Sequence, residues 1–344
     1  MKNIFNCVLG LLLLSSASHA GSLNLDMRAD YSSVTNTDLN TPDQTRFYFK
    51  TGRLDYIGKA NEDISFRVRW TFNKDTSRQV DEVHQGIELA YLTQKFNDHF
   101  SLTAGKFNTD FGGFEGGTSG ADLYMLSQFY RASGRSPNLL STSELLYLTG
   151  AKATFTHGEQ LLHIMATDEP DKKAGEPKEQ NSNMFGIVYR SLFLEKSLGF
   201  NLSYHFLPGA SKDDKHQFTT IGLLWDSAPV RITVDYLMNE FKADATGYKD
   251  SVNSLVAKVS YTGWEFWTPR IGFISSEETI GGNIDKTNRY TGYEAIFEYK
   301  PYKETNFRYH LAYNNMKSTG DDYPQDGTRE EVIAGARLMA DFLK

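Results

Sequence analysis

Residues 64–72 read ISFRVRWTF, and this stretch decides the fold class. Ile64, Phe66, Val68, Trp70 and Phe72 alternate with Ser65, Arg67, Arg69 and Thr71. Successive side chains leave a strand on opposite sides, so a period of two marks a β-strand with one apolar and one polar face. Arg67 and Arg69 are two residues apart, so both guanidiniums point to the polar side. The pattern recurs along the chain. Phe200, Leu202, Tyr204 and Phe206 alternate with Asn201, Ser203 and His205. Val230, Ile232, Val234, Tyr236 and Met238 alternate with Arg231, Thr233, Asp235 and Asn239, with Leu237 as the one lapse. Phe307, Tyr309, Leu311 and Tyr313 do the same against Arg308, His310 and Asn314.

Extended to the whole chain, the alternation predicts sixteen strands, roughly at 22–34, 45–58, 63–73, 83–95, 98–107, 144–155, 160–167, 182–193, 197–206, 217–226, 229–241, 251–262, 265–275, 287–299, 304–316 and 329–342. Short breaks (59–62, 96–97, 156–159, 194–196, 227–228, 263–264, 300–303) alternate with long ones (35–44, 74–82, 108–143, 168–181, 207–216, 242–250, 276–286, 317–328). Seven short turns and eight long loops are what sixteen antiparallel strands need when both termini lie on the short-turn side. Just before the short turns stand Tyr56, Phe96, Phe155, Phe193, Trp225, Tyr261 and Tyr299. Aromatic rings in phase with loop length form the girdle expected at a bilayer interface, whereas ordinary β-propensity explains only a scatter. The fold class read here is all-β: a 16-stranded antiparallel transmembrane β-barrel. In such a barrel only alternate residues face lipid, which accounts for a negative mean hydropathy.

The N-terminus, MKNIFNCVLGLLLLSSASHA, has Lys2, an apolar run from Val8 to Leu14 and a small-x-small site at Ser18-His19-Ala20. It reads as a signal peptide over 1–20, leaving 21–344 as the barrel. The single cysteine, Cys7, lies in that signal, so the exported chain has no disulfide, thiolate metal site or cysteine nucleophile. A net charge of −7 gives no footprint for nucleic acid. No nucleophile elbow, zinc-binding His-Glu-x-x-His pair or phosphate loop occurs, and the histidines are scattered, so the sequence offers neither enzyme nor cofactor site. Acidic clusters at Asp168, Glu169 and Asp171, and at Asp321, Asp322 and Asp326, fall in long loops and offer ligands for divalent cations that bridge lipopolysaccharide, with solvated loop charge as the plainer reading.

The longest connection, 108–143, starts glycine-rich and continues ADLYMLSQFYRAS, in which Leu123, Met125, Leu126 and Phe129 can share a helical face. A loop this long is uncommon without a function or structure of its own. Sixteen strands, a long third loop with a short helix and a closing strand resemble the general trimeric porins. The stretches RFYFKTGRLDYIGKANEDISFRVRWTF (46–72), GIELAYLTQKF and LTAGKFNTDFGGFEG are also similar to the phosphate-selective porin O/P family. The resemblance implies a third loop folded toward the lumen and setting the constriction, a homotrimer in outer-membrane lipid and lipopolysaccharide, and passive diffusion of ions and small hydrophilic solutes. It carries over no residue-level phosphate site. The closing segment VIAGARLMADFLK resembles the signal read by the barrel-assembly machinery, although its aromatic, Phe342, is third from last.

Strand phase places Arg67, Arg69, Lys152, Arg190, Arg231, Lys258, Arg270, Arg308 and Arg337 on the lumen side, with Asp26, Glu88, Asp235, Glu294, Glu298 and Asp341 as inward carboxylates. The third loop offers Asp110, Glu115 and Asp122. If these three face Arg67 and Arg69 across the constriction, they create a transverse field; the plainer reading is solvated lumen charge. A substrate-selective channel, for anions such as phosphate or for sugars, and a mainly structural surface barrel stay open as alternatives.

Overall fold

The computed structural model describes residues 21–343 apart from 40, 74–78, 81–82, 85, 132–135, 137–138, 141, 143–144, 169–182, 209–213, 244–245 and 282–284. The expected signal peptide lies outside the described residues. Sixteen strands close into one antiparallel barrel. They are β1 (Ser22–Thr37), β2 (Gln44–Lys59), β3 (Ile64–Thr71), β4 (Ile87–Asn97), β5 (Phe100–Asn108), β6 (Tyr147–His157), β7 (Gln160–Thr167), β8 (Met184–Phe193), β9 (Leu198–Pro208), β10 (Asp214–Ser227), β11 (Val230–Ala243), β12 (Tyr248–Tyr261), β13 (Trp267–Ile280), β14 (Lys286–Tyr299), β15 (Asn306–Gly320) and β16 (Tyr323–Asp341). The first and last strands pair from Asn24↔Asp341 to Thr37↔Thr328, so no edge is left open. Closure removes the unpaired backbone groups that hydrocarbon could not satisfy.

The side chains are arranged inside out. Leu92, Ile271 and Leu311 on the outer face are 58, 60 and 55% exposed, while Arg28, Asp235, Glu278 and Asn288 on the inner face are at 1% or less. A water-surrounded protein has no reason to present that pattern; a barrel in lipid requires it. Around the short turns the rings pack on one another: Tyr56 on Phe66 with centroids 5.5 Å apart, Phe96 on Phe100 at 5.4 Å, Phe100 on Phe155 at 5.1 Å and Trp267 on Tyr299 at 4.5 Å.

The strands outrun the sequence reading at the long-loop end. β11 and β12 stay paired to Ala243↔Tyr248, β13 and β14 to Ile280↔Lys286, and β15 and β16 to Gly320↔Tyr323. The expected loops 242–250, 276–286 and 317–328 are therefore largely hairpin. Beyond the bilayer neither face need be apolar, so the period-two signal ends while the ladder continues. In the opposite direction, β4 starts at Ile87 and β6 at Tyr147, later than expected.

The third loop does turn inward. Gly112 and Gly113, at φ 73° and 69°, swing the chain off the end of β5, and a Cβ on Gly112 would sit 2.7 Å from Ser203 Oγ on β9. Only glycine combines that backbone conformation with so close an approach. The loop carries α1 (Gly113–Gly117), a 3₁₀ turn (Gly120–Asp122) and α2 (Gln128–Arg131). The expected helical face is corrected here, because Leu123–Ser127 is not helical. Its backbone is claimed by partners elsewhere: Tyr124 O accepts from Asn314 Nδ2 at 3.0 Å, and Ser127 N–H donates to Glu115 Oε1 at 2.9 Å. Met125, Phe129 and Tyr130 are buried with Phe218, Leu237, Val256, Ile274 and Met316 from the wall, so an ordinary apolar core lies inside the barrel.

Candidate functional site

The lumen and the third loop are built together. Asp235, inward on β11, accepts the backbone N–H of Phe114 at 2.8 and 2.9 Å and that of Glu115 at 2.7 Å, anchoring the loop's first helix to the wall. Glu115 turns back into the loop, where it also accepts the Ser127 hydroxyl at 2.7 Å. Burial raises its carboxyl above the usual range, with Lys258 and the Ser127 groups opposing the shift. Asp122 takes both Arg308 and Arg337. Burial pushes the Asp122 carboxyl up, but the two arginines outweigh it and hold it below the ordinary value. Arg28, only 1% exposed, donates to Ala121 O at 2.7 Å and lies 4.0 Å from the centroid of the Tyr124 ring. Loop and wall are thus clamped along β1 and β9–β16, and open space remains on either side of the loop tip, against β2–β8 on one and β7–β15 on the other.

That space forms two cavities. The one on the short-turn side, about 730 Å³, is bordered by Arg190, Arg231, Lys258, Arg270 and Arg308, with Asp122, Glu159 and Glu294. The one on the long-loop side, about 530 Å³, is bordered by Arg53, Arg67, Arg69, Lys152 and Arg190, with Glu88, Asp110 and Glu115. Gly117, Thr118, Ser119 and Arg190 border both, so the loop tip stands between them. A Cβ on Gly117 would meet nothing within 4 Å.

Asp110 and Glu115 border the same cavity as Arg67 and Arg69, but no described loop carboxylate pairs with these arginines. Both arginines grip Asp55 on the neighbouring strand, Arg67 at 2.6–2.9 Å and Arg69 at 2.8–3.0 Å. Asp55 is in register with Arg69, so the cross-strand partner is nearer than any loop group. Asp110 pairs with Arg190 instead. Glu115 and Asp235, expected as lumen or constriction charge, are 2 and 1% exposed and serve as internal ties, since a buried carboxylate must collect donors. Glu88, also 1% exposed, takes Arg53 at 3.1 Å and lies 3.9 Å from Arg69. Arg337 lies under the loop between Asp26 and Asp122 and is 3% exposed, not open to either cavity.

The other expected residues have simpler surroundings. Lys258 meets Glu294 at 3.3 Å, Arg270 meets Glu298 at 2.7 Å, and Arg308 also meets Glu298 at 3.3 Å. Arg231, half-exposed near the short turns, is 3.7 Å from Asp226. Lys152 has no ion pair with a described residue, and its ammonium lies 4.9 Å from the Phe107 ring centroid. Asp341 accepts the backbone N–H of Leu23 at 3.3 Å and of Leu343 at 3.0 Å, at the rim rather than in the lumen. Sequence reading missed Arg28, Arg53 and Asp55. Their signal was present, because Arg28 shares the phase of the inward Asp26, and Arg53 and Asp55 face Thr71 and Arg69 across the β2–β3 ladder. Among the described residues no cluster of three or more metal-ligating side chains occurs.

Comparison with known proteins places this architecture. Among curated protein sequences none matches. Many solved structures share the fold at low identity, among them three outer-membrane proteins. The anion-selective porin of Comamonas acidovorans matches with TM-score 0.68 and 10% identity, over 94% of this chain and 100% of that one. The outer membrane channel DcaP of Acinetobacter baumannii matches with TM-score 0.65 and 13% identity, over 94% and 98%. The trimer form of OmpT, an outer membrane protein of Vibrio cholerae, matches with TM-score 0.62 and 11% identity, over 94% and 100%. At the level of sequence, residues 22–264 match the family of phosphate-selective porins O and P. The chain belongs to that family and is an outer-membrane porin, a channel for passive diffusion.

Proposed function

We propose that this porin favours anions, with the tip of the third loop at Gly117–Ser119 as its narrowest point and lumen charge biasing which ions pass. One observation carries the reading: the two cavities together are bordered by nine Lys and Arg side chains against six carboxylates, although the whole chain is at −7. A charge bias concentrated along a low-dielectric tube raises the local concentration of the opposite ion. The anion selectivity named for the Comamonas structure agrees with this reading but rests on fold likeness alone.

The same reading extends to the chain's partners. Residues 1–20 direct export and are removed; outer-membrane lipid and lipopolysaccharide surround the barrel. The barrel-assembly machinery reads the β16 end at Phe342, and three copies assemble, in line with the trimer form of the similar Vibrio structure.

Replacing both Arg67 and Arg69 by serine tests the charge bias. The change removes two positive charges and leaves Asp55 uncompensated beside the long-loop cavity. Chloride-over-potassium permeability, taken from reversal potentials in planar bilayers, is expected to fall by roughly twofold or more. Unchanged selectivity would mean that these arginines are only structural partners of Asp55.

A further inference from the structure

We propose that the long-loop cavity is a transient binding site for aromatic carboxylates, a class that neither a bare ion filter nor a plain water-filled passage would single out. The inference rests on the anion-favouring reading above and names the solute it serves best. It starts from two unlike sets of side chains around the cavity. One set is cationic: Arg53, Arg67, Arg69, Lys152 and Arg190. The other is apolar or aromatic: Leu123 and Leu126 from the third loop, Leu146 just before β6, and Tyr91 and Tyr147 from the barrel. All five of these are half-buried, so each keeps surface that can meet the lumen.

The apolar set is the unexpected part. Inorganic ions gain nothing from leucine and lose hydration beside it. A lumen built only to pass them would carry polar groups there, as it does along most of the inner face. An apolar body with one negative end uses both sets at once, because its ring covers apolar surface that water would otherwise wet. The ladder register sets the two chemistries side by side, with Arg67 opposite Tyr91 and Arg69 opposite Leu89. The negative end has cations to meet. Glu88, Asp110 and Glu115 also border the cavity, Glu88 pairing with Arg53 and Asp110 with Arg190. But Arg67 and Arg69 share the single Asp55, which does not border it, and Lys152 has no ion pair with a described residue, so the lining stays cationic. At about 530 Å³ the cavity holds a single-ring acid with water to spare, within the range of ~300–1,000 Å³ usual for small-molecule sites. The loop tip at Gly117–Ser119 borders this cavity and the second one alike, and Arg190, which also borders both, continues the cationic track.

The test uses the full-length porin in planar bilayers carrying chloride current, with benzoate, acetate or inorganic phosphate added. Benzoate is expected to reduce the current at a concentration about tenfold lower than acetate, since the two share a carboxylate and differ in the ring. Phosphate is expected to resemble acetate. Leu123→Ser, a change at a residue outside the buried loop core, should narrow the benzoate-to-acetate difference to about threefold or less. Equal half-blocking concentrations for benzoate and acetate in the unaltered channel would overturn the proposal, as would phosphate acting at the lowest concentration. A wide difference that survives Leu123→Ser and the companion Tyr91→Ser would overturn the assignment to this cavity. A channel that proves cation-selective yet shows the benzoate preference would support the site and sink the selectivity reading instead, so the two failures are distinct.

Discussion

Replacing Asp235 by alanine is expected to widen the pore and destabilise the third loop while leaving the barrel closed. The Asp235 carboxylate is the acceptor for the Phe114 and Glu115 N–H groups and is 1% exposed. Hydrogen bonds to a charged group contribute about 1.5–3 kcal/mol each, and a buried donor left without an acceptor costs a similar amount. Losing both should therefore weaken loop attachment by about 3 kcal/mol or more. The sixteen-strand ladder does not depend on it. Single-channel conductance should rise roughly twofold, with added current noise as the loop samples detached positions. The unfolding temperature of the barrel in detergent should move much less than the loop's protection from proteolysis. An unchanged conductance would show that the apolar contacts of Met125, Phe129 and Tyr130 hold the loop without help.

Gly117→Trp is expected to act in the opposite direction. Gly117 borders both cavities, and a Cβ placed there meets no atom within 4 Å, so an indole would extend into the passage without disturbing the wall. Conductance should fall by roughly fivefold, and uptake of larger hydrophilic solutes into liposomes should stop before that of small ions. Thermal stability should stay within about 0.5 kcal/mol of the parent, since a Cβ there meets no wall atom within 4 Å. A tryptophan with no effect on conductance would place the narrowing elsewhere than Gly117–Ser119.

The barrel was legible in the sequence because lipid imposes a rule on every second residue. ISFRVRWTF obeys it at each position from Ile64 to Phe72, and the ring at each short turn marks the depth. The rule stops where the lipid stops. The β15–β16 hairpin continues to Gly320↔Tyr323 through residues that read as loop, because no face there has to be apolar. The lumen was legible only as to side. Phase told that Arg67 and Arg69 point inward, but not that Asp55, one strand away and in register with Arg69, would take both. Glu115 and Asp235 show the same limit. Their charge suggested a constriction, whereas their positions, fixed by long-range contacts between loop and wall, make them internal ties. Period-two reasoning cannot see a contact between residues 120 positions apart.

The reversal potential of the unaltered porin in a potassium chloride gradient bears most directly on how the lumen works. A zero-current potential with the sign set by chloride diffusion is expected from the nine cations against six carboxylates that border the two cavities. A potential with the sign set by potassium would contradict it, and would mean that the overall acidity of the chain, not the local charge along the pore, governs passage.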